Sequence, residues 1–184
     1  MLRGATRLQG ACQVLLLVSQ RVYNVLFLCT GNSARSIIAE ALLNAMGKGR
    51  FRAYSAGSHP SGQVNPVVAE LLRSSGLRID DARSKSWDEF ARADAPKMDL
   101  VITVCDQAAG EACPVLPGIP AKAHWAAPDP AAHLGDQEKV RAVAREVFHL
   151  MQRRISLLLA LPLEALDQMS LQAQAGSIAE QARR

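Results

Sequence analysis

Two runs of the chain carry apolar side chains with almost no polar interruption: Val22 to Leu28, and Asp99 to Cys105 through Leu100, Val101, Ile102 and Val104. A strand covered on both faces needs such a run, and strands of that kind belong to parallel sheets. Between the two runs the period changes. Ile37, Ile38, Ala41, Leu42, Ala45 and Met46 recur at helical spacing, and Gly47 and Gly49 stop that helix. Phe51 to Ser55 predicts a second strand ending in Ala56-Gly57. Pro66 to Leu72 predicts a second helix after Asn65, with the proline at a tolerated first-turn position and Gly76 at the end. A short strand at Leu77 to Ile79 and a helix around Trp87 to Ala91 follow, and Ala121 to Trp125 reads as the last strand. Val140, Val143, Ala144, Val147, Phe148, Met151, Ile155, Leu158 and Leu159 then trace one face of a long helix.

Strands alternating with helices predict an α/β domain whose parallel sheet is covered on both faces. That domain is expected over 21–161. Residues 1–20 read as a loose, disordered N-terminal extension, and 162–184 as a weaker helical tail or a frayed end. In such sheets ligands bind at the carboxyl ends of strands, where Cys29 and Cys105 both fall. The chain has 184 residues, enough for a core that stands without staples. Its net charge of +4 comes with both signs interspersed and no basic stripe with interleaved aromatics, which fits an anionic substrate and argues against nucleic acid. The apolar patch Val14 to Val18 is too short for a signal-peptide core or a membrane span, so no membrane association is expected. Four cysteines in a chain of this length do not form a secreted disulfide scaffold, and a reducing cytoplasm is expected. Cys12, in the extension, is given no role.

The chemistry concentrates in Cys29-Thr30-Gly31-Asn32-Ser33-Ala34-Arg35-Ser36, directly after the first apolar run. A tight glycine-containing loop turns successive backbone N–H groups inward and forms an anion-binding nest, and the following helix adds its positive end. A tetrahedral oxyanion there would face the Cys29 sulfur and be clamped by the planar guanidinium of Arg35. The helix start near Ala34 and Arg35 are both expected to lower the thiol pKa, and Ser36 could donate a hydroxyl to the sulfur. Taken alone, the cysteine and arginine could also be a strand-end core residue and a chance match.

Three further positions carry chemistry. Cys105 and Cys113 bracket a small, polar, flexible stretch, so their sulfurs could meet if the chain folds back. They could equally be one buried cysteine and one loop cysteine, or a zinc pair completed by His124 and His133, although the spacing matches no zinc template. Asp129, rigidly held in Pro128-Asp129-Pro130, could carry a proton to a leaving oxygen over the nest, or be an ordinary Asp-Pro turn.

Together, Cys29 to Ser36, Tyr54-Ser55-Ala56-Gly57, Val101 to Cys105, Cys113-Pro114 and His124-Trp125 followed by Asp129-Pro130 resemble the low-molecular-weight tyrosine phosphatase fold, and within it the arsenate reductases. The resemblance implies a three-layer αβα domain around a central four-stranded parallel sheet. It implies arsenate, with phosphate or sulfate as mimics, bound by Thr30, Gly31, Asn32, Ser33, Ala34, Arg35 and Ser36. Cys29 would attack arsenic while Asp129 protonates departing water. Cys105 would resolve the adduct, and Cys113 would take over the disulfide for thioredoxin or another thiol reductant to reduce. Thiol exchange of this kind needs no metal and no organic cofactor. The alternative enzyme is a protein-tyrosine phosphatase, which leaves Cys105 and Cys113 without a task and lacks aromatic walls, since Ala131-Ala132 follow Asp129-Pro130. A non-enzymatic reading is an anion- or oxidant-sensing module.

Overall fold

Val25 and Phe27 of the first strand join one hydrophobic cluster while Leu26 and Leu28, one residue out of phase, join another. That alternation is why Val25 to Leu28 contains no polar position: both faces of the strand are interior there. The computed structural model describes residues 21–110, 116–117, 120–133, 135–165 and 167–182. The extension 1–20, with Cys12, lies outside them, as does Cys113.

Four strands, β1 (Tyr23–Cys29), β2 (Phe51–Gly57), β3 (Leu100–Thr103) and β4 (Ala121–His124), form one sheet in the order β2-β1-β3-β4. Every neighbouring pair is parallel, with Val25 of β1 opposite both Ala53 and Leu100. Helices α1 (Arg35–Met46), α2 (Pro66–Ser74) and α4 (Gln137–Leu159) bury Ile37, Leu42, Val68, Leu72, Met151 and Ile155 in the cluster that holds Val25 and Phe27. On the opposite face Leu26, Leu28 and Val101 meet Phe90, Met98 and Leu116. The short α3 (Asp106–Gly110) follows β3, and α5 (Gln168–Gln181) lies along β4 with Leu171, Ala175 and Ile178 buried. No helix among the described residues is long and apolar enough to cross a membrane.

Two local expectations need correction. Leu77 to Ile79 is not a strand. Gly76, at φ +75°, reverses the chain, and the Leu77 amide closes the end of α2 on the Leu72 carbonyl at 3.0 Å. The ladder donor that a strand would have used is already spent on a helix C-terminus. Trp87 to Ala91 forms one 3-10 turn, Trp87–Phe90, rather than a helix, started by Ser86 accepting from the Asp88 amide.

Candidate active site

β1 ends at Cys29 and α1 begins at Arg35, so residues 30–34 close the gap as a loop across the carboxyl end of the sheet. The loop carbonyls are tied down from outside. Amides of Ser58, His59, Ser61 and Asn65 donate to the carbonyls of Cys29, Thr30, Gly31 and Ser33 at 2.9–3.2 Å, and the Ser84 hydroxyl adds a second bond to Gly31. With those carbonyls held outward, the loop amides face inward, Asn32's toward the Cys29 sulfur. α1 adds to them: its N-cap is Ala34, which offers no side-chain cap, and no acidic residue sits in its first turn. The unpaired amides of that terminus are therefore free for an anion.

The Cys29 thiol is buried in this loop. The Asn32 amide donates to its sulfur at 3.1 Å, and Ser36 Oγ lies 3.0 Å from it. Asn32 is buried and adopts φ +43°, a left-handed conformation that costs a non-glycine residue about 1–2 kcal/mol. Its side chain is held by three hydrogen bonds. Nδ2 donates to Ser36 Oγ and to Ser55 Oγ, both at 2.9 Å, and Oδ1 accepts from the Lys85 amide at 2.8 Å. Ser55 donates in turn to Glu40, and the buried Lys85 ammonium lies 3.8 Å from the same carboxylate.

The thiol differs from the expectation of a lowered pKa. Burial pushes Cys29 up from its ordinary value and outweighs the Ser36 hydroxyl, the Asn32 amide and Arg35, which all pull it down. The Arg35 guanidinium is itself paired: Nη2 donates to Asp129 Oδ2 at 2.7 Å.

Asp129 reaches the nest from the far end of the chain. Arg154 of α4, fully buried, donates to the carbonyls of Trp125 and Ala126 at 2.8 and 3.0 Å, which fixes the segment leading to Asp129. The second Asp129 oxygen accepts from the Ala131 amide at 3.0 Å. Cys105 is buried beyond the end of β3, with its sulfur 3.5 Å from Thr30 Oγ1 and 3.3 Å from the Ala108 amide. A charge on Cys105 would raise the Cys29 thiol further, so the two sulfurs share one electrostatic environment.

The loop residues Thr30 to Ser36, with Cys29, Cys105 and Asp129, thus converge on one end of the sheet. Both His124 ring nitrogens are occupied, by Thr103 Oγ1 at 2.8 Å and Asp106 Oδ1 at 2.9 Å. Sequence reasoning did not find Lys85 or the 58–65 segment. Nothing in local pattern marks them, because they reach the loop through backbone groups and one long side chain.

Comparison with known proteins agrees with this geometry. Over 131 residues the chain is 36% identical to an arsenate reductase of Halalkalibacterium halodurans, covering 71% of this chain and 91% of that one. The structure of an arsenate reductase from Archaeoglobus fulgidus matches with a TM-score of 0.54 at 34% identity, covering 72% of this chain and 98% of its own. A low molecular weight protein tyrosine phosphatase from T. tengcongensis matches with a TM-score of 0.58 at 26% identity, covering 73% and 98%. Residues 24–168 match the model for low molecular weight phosphotyrosine protein phosphatases, and the chain belongs to that family.

Proposed function

We propose that this protein reduces arsenate to arsenite with Cys29, Cys105 and Cys113 acting in turn. The observation that carries the reading is the second buried cysteine. A phosphatase needs Cys29, Arg35 and an acid, whereas Cys105 sits with its sulfur on Thr30 of the same loop and has no part in phosphoester hydrolysis. The two arsenate reductases among the similar proteins point the same way.

In this reading arsenate enters the nest and takes Arg35 from Asp129. The buried thiol passes its proton to an oxyanion oxygen and attacks arsenic, while Asp129, released from Arg35, takes up a proton from solvent and delivers it to the departing oxygen, which leaves as water. Cys105 then attacks the Cys29 sulfur. The sulfur–arsenic bond breaks with its electron pair going to arsenic, which departs as arsenite and leaves a Cys29–Cys105 disulfide. Attack by Cys113 on Cys105 returns Cys29 as a thiolate and moves the bond to Cys105–Cys113. A dithiol reductant of the thioredoxin type supplies the two electrons that reopen it. No metal or organic cofactor takes part in this scheme.

Arsenate-dependent oxidation of NADPH, coupled through thioredoxin and its reductase, tests the activity. Mass mapping after a single turnover tests the order of thiols, and should find Cys105 bridged to Cys113. Turnover of Cys105→Ser or Cys113→Ser at the parent's rate would remove the relay. Fast hydrolysis of phosphotyrosine peptides with no arsenate turnover would return the protein to the phosphatase reading.

A further inference from the structure

We propose that Lys85 is a positioning residue for the Cys29 thiol, acting through Glu40, Ser55 and Asn32. The inference rests on the function proposed above, since it assigns Lys85 to the group that begins that reaction.

The hydrogens in this interior chain can be placed one by one. Asn32 Nδ2 carries two hydrogens, and both are donated, one to Ser55 Oγ and one to Ser36 Oγ. Because Ser36 accepts there, its own hydrogen is left for the Cys29 sulfur 3.0 Å away. Because Ser55 accepts there, its hydrogen goes to Glu40. That arrangement needs an acceptor at Glu40, which an ionised carboxylate provides without competition. Burial opposes ionisation: it pushes the Glu40 carboxyl up, and the first influence pulling it down is Lys85. A buried carboxylate without a counter-charge takes up a proton instead of remaining charged.

Lys85 is built for this task. Its side chain is only 7% exposed, its Nζ donates to the Arg83 carbonyl at 3.2 Å, and its own amide holds Asn32 Oδ1. One residue therefore touches both ends of the chain, the backbone fixing Asn32 and the ammonium fixing the charge on Glu40. The other charged groups facing the pair are Arg83 and Glu89, which are bonded to each other at the surface. Arg78, Asp80 and Asp81 line, with Glu40, a cavity of about 260 Å³. Exposed to solvent, Arg83, Glu89, Arg78 and Asp80 are screened, so they do not replace the buried ammonium.

In Lys85→Met, Glu40 becomes a carboxylic acid whose hydroxyl competes for the Ser55 oxygen, and Asn32 loses its fixed acceptor. The amide and hydroxyl that stabilise the Cys29 thiolate are then less well aimed. The test follows alkylation of the Cys29 peptide by iodoacetamide against pH, resolved by mass, alongside arsenate kinetics in the full chain. Lys85→Met should shift the Cys29 titration upward by about one unit, which is about a tenfold loss of thiolate near neutrality. kcat for arsenate should fall by about the same factor while KM moves less than about threefold, as expected for a residue that does not touch substrate. Lys85→Arg should keep the parent titration. The double variant Lys85→Met/Glu40→Gln carries no buried charge and presents an amide oxygen to Ser55, so it should return the titration to within about 0.3 unit of the parent.

An unshifted Cys29 titration in Lys85→Met overturns the proposal, as does a shift that Glu40→Gln fails to reverse. If Lys85→Met does not fold, the double variant decides alone: a parent-like titration supports the proposal and a raised one overturns it. The thiol titration needs no arsenate turnover, so a parent enzyme inert toward arsenate would sink the functional reading and leave this test standing.

Discussion

At Cys29, burial and hydrogen bonding oppose each other, and burial prevails while Arg35 is held by Asp129. In the unfolded chain the thiol loses its proton near its ordinary value of 9.0, whereas the folded protein retains it to higher pH. The folded form then binds more protons than the unfolded one, so stability is full below that pH and falls as pH rises toward the higher folded value. Serine at this position cannot titrate there. Urea unfolding under reducing conditions, at steps from about pH 8 to about pH 10.5, should show the parent losing stability faster than Cys29→Ser. Parallel curves would mean that the thiol is not held protonated. Asn32 offers a second test. Asn32→Ala removes the acceptor for the Lys85 amide and the donors to Ser36 and Ser55 while keeping the unfavourable backbone, for a loss of about 2–4 kcal/mol. Asn32→Gly removes the same bonds but relaxes φ, and should be milder by about 1 kcal/mol in denaturant melts.

At the scale of elements, the nest is a loop clamped from behind by β2 and the segment after it. Gly57, the last residue of β2, lies so close that a Cβ built on it would stand 2.4 Å from the Thr30 carbonyl and 3.0 Å from the Asn32 amide. Both obstacles are backbone and cannot rotate away. Gly57→Ala should therefore cost about 1–3 kcal/mol and push the loop off its geometry. KM for arsenate should rise by about tenfold or more, because displacements of an ångström suffice for such effects. An unchanged KM would place the loop's rigidity elsewhere. The same elements indicate what could be read from sequence. β1 and β3 were legible because burial on both faces removes polar residues from a strand, and Cys29 to Arg35 because its cysteine, glycine, serine and arginine fall in one short stretch directly after such a strand. The Leu77–Ile79 strand failed because two apolar residues either side of an arginine look alike whether they join a ladder or, as with Ile79, pack into the core from a loop. Lys85 was illegible for another reason: only the fold brings its ammonium to Glu40 and its amide to Asn32.

Across the whole molecule the edge strand β4 is covered by α5, which starts where the family match ends at residue 168. Its role can be argued from Trp125. That side chain is fully buried, with its ring centroid 6.1 Å from that of Phe27 on β1, and its indole N–H donates to the Ala175 carbonyl at 2.8 Å. Phe27 lies two residues before Cys29, and Trp125 lies four before Asp129. The interior that supports both ends of the site is therefore closed by α5, together with Leu171 and Ile178 in the same cluster. An appendage would fray alone when weakened, whereas an integral helix transmits its loss to the whole core. Truncating Ile178 to alanine removes a nearly fully buried side chain and should cost about 2–5 kcal/mol. Tryptophan fluorescence and far-ultraviolet circular dichroism should report that loss as one shared transition at lower denaturant. Two separated transitions, with α5 melting first and Trp125 unaffected until later, would show that the sheet and its site stand without this helix.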